Sequence, residues 1–498
     1  MLVFGVTVLV ATMVAAGLLA GRFVKGEASN FLLAGRNLGA PIVAVMLMSQ
    51  CIDSNATIGS ADLSGAFGFW AGAAMPIGMA VSVLVLGVFI ARRFRGLGFL
   101  SVADYFERRF GRSAELTAAL LTVGSFSILL AGNLVSLGFL MQHFVGIGYT
   151  LAVVLLVPLV LLYTVTGGMF ASAFTSVVQF FVTAVGFTAL AVWMGATHGY
   201  SAPAGLGAAD LGQLTDPAQG AAVNWATIAS LGLGNIVAID LMQRILSAKS
   251  PVAARNACFM AATAILVLCV PLSMVAVAAL SFVDPADGPI LITLLGEHTP
   301  MVLAIVVLAG LVMASLTTVG GVLLSASTVF VHNVLHLSGE DAEQSDRMAR
   351  MTRVVMVPVA LVGAVVALRI PTTGILLTLT FDLLLASLTV PFLAGLFWRR
   401  GTSAAFAASV ALGLGTRLVF FVLTPTIYGV DNTLLYFAND VVPASVDGWT
   451  TFISALVSLV TYVVVAVLTR PATAECYAST RVVPVPAAPP ADKDVVPA

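Results

Sequence analysis

The chain has 498 residues, of which 60% are hydrophobic and 9% charged, with a formal net charge of -1 and a mean hydropathy of +1.07. That composition is far too apolar for a water-soluble globule and makes lipid the main solvent, so the chain reads as a polytopic membrane protein. No basic cluster is dense enough for nucleic acid, and Cys51, Cys258, Cys269 and Cys476 lack metal-ligand spacing.

Apolar runs of roughly 18 residues or more predict membrane helices. They fall near 2–20, 39–66, 70–90, 114–140, 148–166, 171–195, 223–242, 256–282, 301–332, 354–369, 373–397, 403–424 and 450–469, thirteen in number. The first has no basic segment before it and reads as a retained span, not a cleaved signal peptide. The second is interrupted, because Ser49-Gln50-Cys51-Ile52-Asp53-Ser54-Asn55 sets hydroxyl, amide and carboxylate groups in the middle of an apolar stretch. Polar groups at that depth are costly and line a solvated cavity or an ion path. A helix broken there frees carbonyls and amides that bind an ion and a polar solute together.

The outer loop after Gly199 is rich in Gly, Ala and Asp, and a short helix is expected within it. The span at 223–242 then repeats the interruption at Gly232-Leu233-Gly234-Asn235, five spans after the first, with Asp240 following. Broken helices in corresponding positions predict an inverted repeat with its site between them at the midplane. Asp382, in the eleventh span, is a further acidic candidate. The segment Gly339-Glu340-Asp341-Ala342-Glu343-Gln344-Ser345-Asp346 reads as a solvated connection, and the Pro- and Ala-rich 471–498 as a disordered tail.

Lys and Arg are held on the cytoplasmic side of short loops. With the N-terminus outside, twenty of the 22 fall inside; Arg369 falls outside and Arg417 within a span. Asp210, Asp216, Asp284, Asp287, Asp431, Asp440 and Asp447 then lie outside.

Five segments, in order along the chain, carry a family resemblance. Phe31-Leu32-Leu33-Ala34-Gly35-Arg36-Asn37-Leu38-Gly39, Ser101-Val102-Ala103-Asp104-Tyr105-Phe106-Glu107-Arg108-Arg109-Phe110-Gly111 and Tyr163-Thr164-Val165-Thr166-Gly167-Gly168 are the first three. Gln243-Arg244 with Ser247-Ala248-Lys249-Ser250, and Leu396-Phe397-Trp398-Arg399-Arg400, complete the set. Together they resemble the sodium:solute symporters. The resemblance implies the leucine-transporter fold, all-α, with about thirteen membrane helices. Five-helix repeats are then expected at 39–200 and 223–397, on either side of an outer loop at 201–222. One extra helix falls within 1–38, two within 398–470, and the tail at 471–498.

The segment from Ala314 to Ser327 resembles the family's sodium-binding eighth core helix. The ligands this implies are the hydroxyls of Thr317 and Thr318 and the backbone carbonyls of Ala314, Ser49 and Ile52, with sodium as the coupling ion. The plainer alternative is that each threonine bonds its own backbone. Ser176 stands where many relatives carry an aspartate associated with a second sodium, which implies a single coupling ion. Asp53 stands where relatives tend to place a small polar residue facing the solute. Ionised, it would favour an amine-bearing solute or strengthen the hold on sodium; neutral, it could donate a hydrogen bond or relay a proton. Its plainer role is to cap amides exposed by the helix break. Gln50, Asp53, Asn55, Asn235 and Asp382 are the expected solute-facing residues.

The expected activity is sodium-coupled symport that imports a small polar organic solute by alternating access. The solute is an amino acid, an amide- or amine-bearing molecule, or a small carboxylate; no aromatic platform for a sugar is evident. A sodium-linked sensor or a proton-coupled symporter is the alternative. The expected location is the cell membrane, N-terminus outside and C-terminus cytoplasmic, with the solute, sodium and the lipid bilayer as partners. Oligomeric state is not legible, and no nucleophile–base or metal-ligand constellation suggests an enzyme.

Overall fold

The computed structural model describes residues 1–20, 28–337, 342–433 and 436–469. The expected tail at 471–498, Arg22, Lys25 and residues 339–341 lie outside the described residues. Hydrocarbon offers no partner to a free backbone amide, so each apolar run closes its own hydrogen bonds as an α-helix. Ten helices among the described residues are long and apolar enough to cross a bilayer, and two bent pairs bring the number to twelve. The expected thirteen needs Tyr149–Leu162 as well, a shorter apolar helix. It is joined to the next span as one element, α9 (Tyr149–Thr197), in which Gly168 leaves helical geometry at φ 53 and ψ -141. That positive φ is open to glycine, and a Cβ there would strike Phe31.

Helix α1 (Leu2–Ala20) and a short α2 (Ala28–Leu33) precede the first broken span, α3 (Ala40–Cys51) and α4 (Ser54–Phe67), bent by 51°. Ile52 at φ -110, ψ 90 and Asp53 at φ -122, ψ 173 are the non-helical joint. A membrane span follows through α5 (Phe69–Val85), a π turn and α6 (Ala91–Leu97). The short helix α7 (Ala103–Phe110) then leads into α8 (Arg112–Val145). After α9, the loop carries α10 (Gly212–Thr215), the expected short helix.

The second broken span is α11 (Ala221–Leu233), a 3-10 turn over Gly234–Val237, and α12 (Ile239–Ser247), again bent by 51°. Gly234 is required at that joint because a Cβ would overlap the carbonyl of Phe381. Then come α13 (Pro251–Ala279), a short α14 (Ile290–Thr293), α15 (Met301–Val329) and α16 (Ala342–Arg369). The span α17 (Ile375–Leu384) continues through a π turn into α18 (Val390–Phe397). Last, α19 (Ser403–Leu423) and α20 (Trp449–Leu468) pair with each other across a two-residue β-hairpin, Thr426–Ile427 with Val430–Asp431.

The core forms where α15 lies along α8 and α9, α13 along α3 and α5, and α11 along α5. Residues such as Leu162, Val185 and Val192 point away from it and form an apolar exterior suited to lipid. The arginine-bearing segments meet at one end of the bundle, where side chains cap helix-end carbonyls. Arg36 donates to the carbonyls of Gly98 and Phe99, Arg95 to Ala248, and Arg109 to Gly395, Trp398 and Arg399. That end is the basic face.

Candidate functional site

The break between α3 and α4 is clasped by α15. Thr318 donates its hydroxyl to the Ser49 carbonyl at 3.0 Å, and Gln50 donates from Nε2 to the Thr317 carbonyl at 3.4 Å. From α9, Gln179 donates to the Ile52 carbonyl at 3.3 Å. Two of the expected ion ligands, Ser49 and Thr318, therefore touch directly, and the Ile52 carbonyl lies in the same joint. Thr317 behaves differently. Its hydroxyl donates to Met313 of its own helix at 2.9 Å and lies 3.9 Å from Sδ of Met13 on α1. Ala314 is buried on α15 one turn earlier.

Asp53 caps α4: Oδ1 accepts from the Ala56 amide at 2.6 Å, and Oδ2 accepts from Nδ2 of Asn133 on α8 at 2.8 Å. The network continues, since Ser315 donates to Oδ1 of Asn133 at 2.9 Å and its hydroxyl is also bonded to that of Ser54. Ser54 in turn meets Ser136 at 2.5 Å. The start of α4 is thus knitted to α8 and α15 by a wholly buried polar cluster. Asn133, Ser136, Ser315 and Gln179 were not among the expected site residues; each is a polar residue in a largely apolar helix, which is the signal they offer.

The other expected residues disperse. Asn55 accepts from the Gly374 amide at 2.8 Å and so holds the start of α17. Asn235, in the second break, donates to Ser82 at 3.0 Å and to Sδ of Met79 at 3.2 Å. Asp382 is bonded to Arg417 of α19 in a buried ion pair. Arg417 also donates to Thr450 at 3.1 Å, while Ser230 joins Asp382 at 3.4 Å and Tyr428 at 2.6 Å. Asp240 accepts from the next backbone amide, of Leu241, at 2.7 Å.

A cavity of about 10 Å³ lies beside the first break, lined by Thr57 and Ser60 of α4, Pro76 and Met79 of α5, and Cys51 and Cys269 among others. That is room for about one water. None of the five residues expected to face the solute lines it. Yet several buried polar atoms around the two breaks lack a protein partner, including Oε1 of Gln50 and Gln179, Nδ2 of Asn55, Oγ1 of Thr57, Oγ of Ser176 and Oδ1 of Asn235. Buried polar atoms are normally paired, so such a group marks a place for water, ion or polar ligand. At the end away from the basic face, a cavity of about 700 Å³ opens among Phe67, Gln213, Asn224, Thr227, Tyr428 and Asp447; neither Lys nor Arg is among its described lining residues.

Two membrane spans, each broken and bent by 51°, define a secondary transporter of the leucine-transporter fold. Comparison with solved structures supports that fold. A substrate-bound, outward-open Na+-coupled sialic acid symporter superposes with a TM-score of 0.73 at 16% identity, covering 94% of this chain and 98% of that one. A nucleobase-cation-symport-1 family transporter in a closed conformation gives 0.55 at 15% identity, covering 90% and 97%. The family model of the sodium:solute symporter family matches residues 31–413, and the chain belongs to that family. The high-affinity choline transporter 1 of Caenorhabditis elegans is 24% identical over 412 residues, covering 78% of this chain and 70% of that protein. The human high affinity choline transporter 1 is 23% identical over 429 residues, covering 80% and 72%. The uncharacterized symporter YwcA of Bacillus subtilis (strain 168) is 23% identical over 448 residues, covering 84% and 86%. The protein is thus a multi-pass membrane transporter of a sodium-coupled family and not an enzyme.

Proposed function

We propose that this symporter imports a small amine-bearing organic solute together with one sodium ion. The observation that carries the reading is the contact between Thr318 and the Ser49 carbonyl across the first helix break. Sodium prefers hard oxygen donors, and the Ser49, Ile52 and Ala314 carbonyls with the Thr318 and Thr317 hydroxyls supply such a set without a carboxylate. Sodium at that point ties α15 to α3, and a ligand shifts a conformational equilibrium only by its differential affinity for the two states. Binding of the ion thereby favours the arrangement that accepts solute. The cation-poor loops make the acidic end extracellular and the basic face cytoplasmic, and the repeats at 39–200 and 223–397 are the two halves that rock.

The amine preference is supported by the choline-transporter relatives. Thr57, Ser60 and Met79 are the nearest solute-facing candidates, closed around the small central cavity. Uptake of radiolabelled choline and other small amines into membrane vesicles, with an imposed sodium or potassium gradient, tests the reading. Uptake indifferent to sodium for every amine tried would reject it.

Two predictions attach to the ion. Thr318→Val is expected to weaken sodium binding by about 1–3 kcal/mol, the cost of a stranded buried polar partner. Thr317→Val is expected to cost less, because that hydroxyl is already bonded within α15. The sodium half-saturation of uptake measures both, and equal shifts would undo the ranking. With Ser176 in place of an acid, uptake should rise hyperbolically with sodium, at a Hill coefficient of about one. A coefficient nearing two, or two sodium ions moved per solute, would count against a single ion.

A further inference from the structure

From the site at Thr318 towards the basic face, one strip of α15 faces α3, α9 and α12. Thr318, Gly321 and Ser325 share that strip by helical spacing. Opposite Gly321 lies Arg244 of α12, fully buried, donating from Nη1 to the Asp240 carbonyl at 2.8 Å and from Nη2 to the hydroxyl of Ser172 on α9 at 3.2 Å. A Cβ at residue 321 would overlap both Nη2 of Arg244 and Oε1 of Gln50, so the guanidinium and that amide oxygen converge on the space glycine leaves. Gln50 follows Ser49 directly, and its Oε1 has no protein hydrogen-bond partner. One layer further, Ser325 donates to Oε1 of Gln243 at 2.6 Å and Gln243 donates to the Leu32 carbonyl at 3.1 Å. Leu32, on α2, closes that end and is itself buried.

A guanidinium at membrane depth is costly and persists where it serves a path or a partner. This one sits against Gly321, three residues after Thr318 on α15 and towards the basic face. Like charges repel strongly where water is scarce. We infer that Arg244, seated over Gly321 and held by Ser172 and the Asp240 carbonyl, is the electrostatic seal that prevents the coupling ion from leaving towards the cytoplasm until α12 moves. The inference rests on the proposed sodium site. It differs from a ligand role: Arg244 acts by its charge on the exit route, a charge that the buried Asp240 carboxylate one turn earlier on α12 offsets in part.

The test uses the full-length protein reconstituted in liposomes. Wild type should be stabilised against heat by sodium chloride relative to potassium chloride; failure there would reject the sodium site itself, whatever Arg244 does. With that established, Arg244→Gln should raise solute-independent radiosodium flux by about tenfold, as expected when a barrier loses a nearby unit charge. The sodium-specific stabilisation should survive. Arg244→Lys should restore most of the seal, a rescue that loss of packing alone would not show. Ser172→Ala, which loosens the guanidinium while keeping its charge, should give a smaller rise and serves if Arg244→Gln does not fold. Flux at the wild-type level in Arg244→Gln, or equal leak in the Lys and Gln variants, would overturn the seal. If Arg244→Gln does not fold, wild-type flux in Ser172→Ala would do the same.

Discussion

Asp382→Asn is expected to destabilise the protein by about 3–5 kcal/mol, the usual cost of stranding one member of a buried ion pair. The carboxylate meets Arg417 within the membrane, and both side chains are almost wholly buried. Removing its charge leaves a guanidinium whose remaining described hydrogen-bond partner is the Thr450 hydroxyl. The effect should spread to the β-hairpin, because Ser230 and Tyr428 belong to the same network and Tyr428 also meets Thr451 at 3.0 Å. The double replacement Asp382→Leu with Arg417→Met should recover most of the lost stability, since an apolar pair of similar volume often substitutes for a buried ion pair without loss. Thermal unfolding in detergent measures both. A double variant as stable as wild type that no longer binds solute would return Asp382 to the solute site; one that transports normally would confirm the pair as scaffolding.

Asp53→Asn is the second large effect, expected to cost about 1–3 kcal/mol and to abolish most transport. Asp53 accepts at both oxygens, whereas asparagine has one acceptor and one donor arm. If its carbonyl keeps the Ala56 amide, its NH2 must face the Asn133 NH2. Asn133 cannot turn over without losing the bond its oxygen takes from Ser315. The strain therefore reaches α15 next to the ion site, and sodium half-saturation should rise along with the loss of stability. Sodium dependence can be read from vesicle uptake and folding from thermal melting. A variant that melts early yet keeps wild-type sodium dependence and transport would reduce Asp53 to a helix cap.

Much of this molecule is legible in the chain because bilayer chemistry is unforgiving. Apolar length marks the spans, and polar groups stranded at Ser49–Asn55 and the glycines around Asn235 mark both breaks, since a continuous helix would have no reason to hold them. The arginine-rich loops that meet at one face were likewise marked by charge alone. Partners across helices were not. The helical period says which residues share a face but not which neighbour that face meets. Asp382 was thus grouped with the solute residues although Arg417, 35 positions later, takes it once α17 and α19 pack. The central cavity draws Thr57, Met79 and Cys269 from three helices, and no spacing along the chain links them. The adjacent threonines show the boundary most clearly. Sequence alone identified Thr317 and Thr318 as a pair of hydroxyls in an apolar helix. Successive residues on a helix point about 100° apart, so tertiary packing decided that Thr318 meets the Ser49 carbonyl while Thr317 turns to its own backbone and Met13.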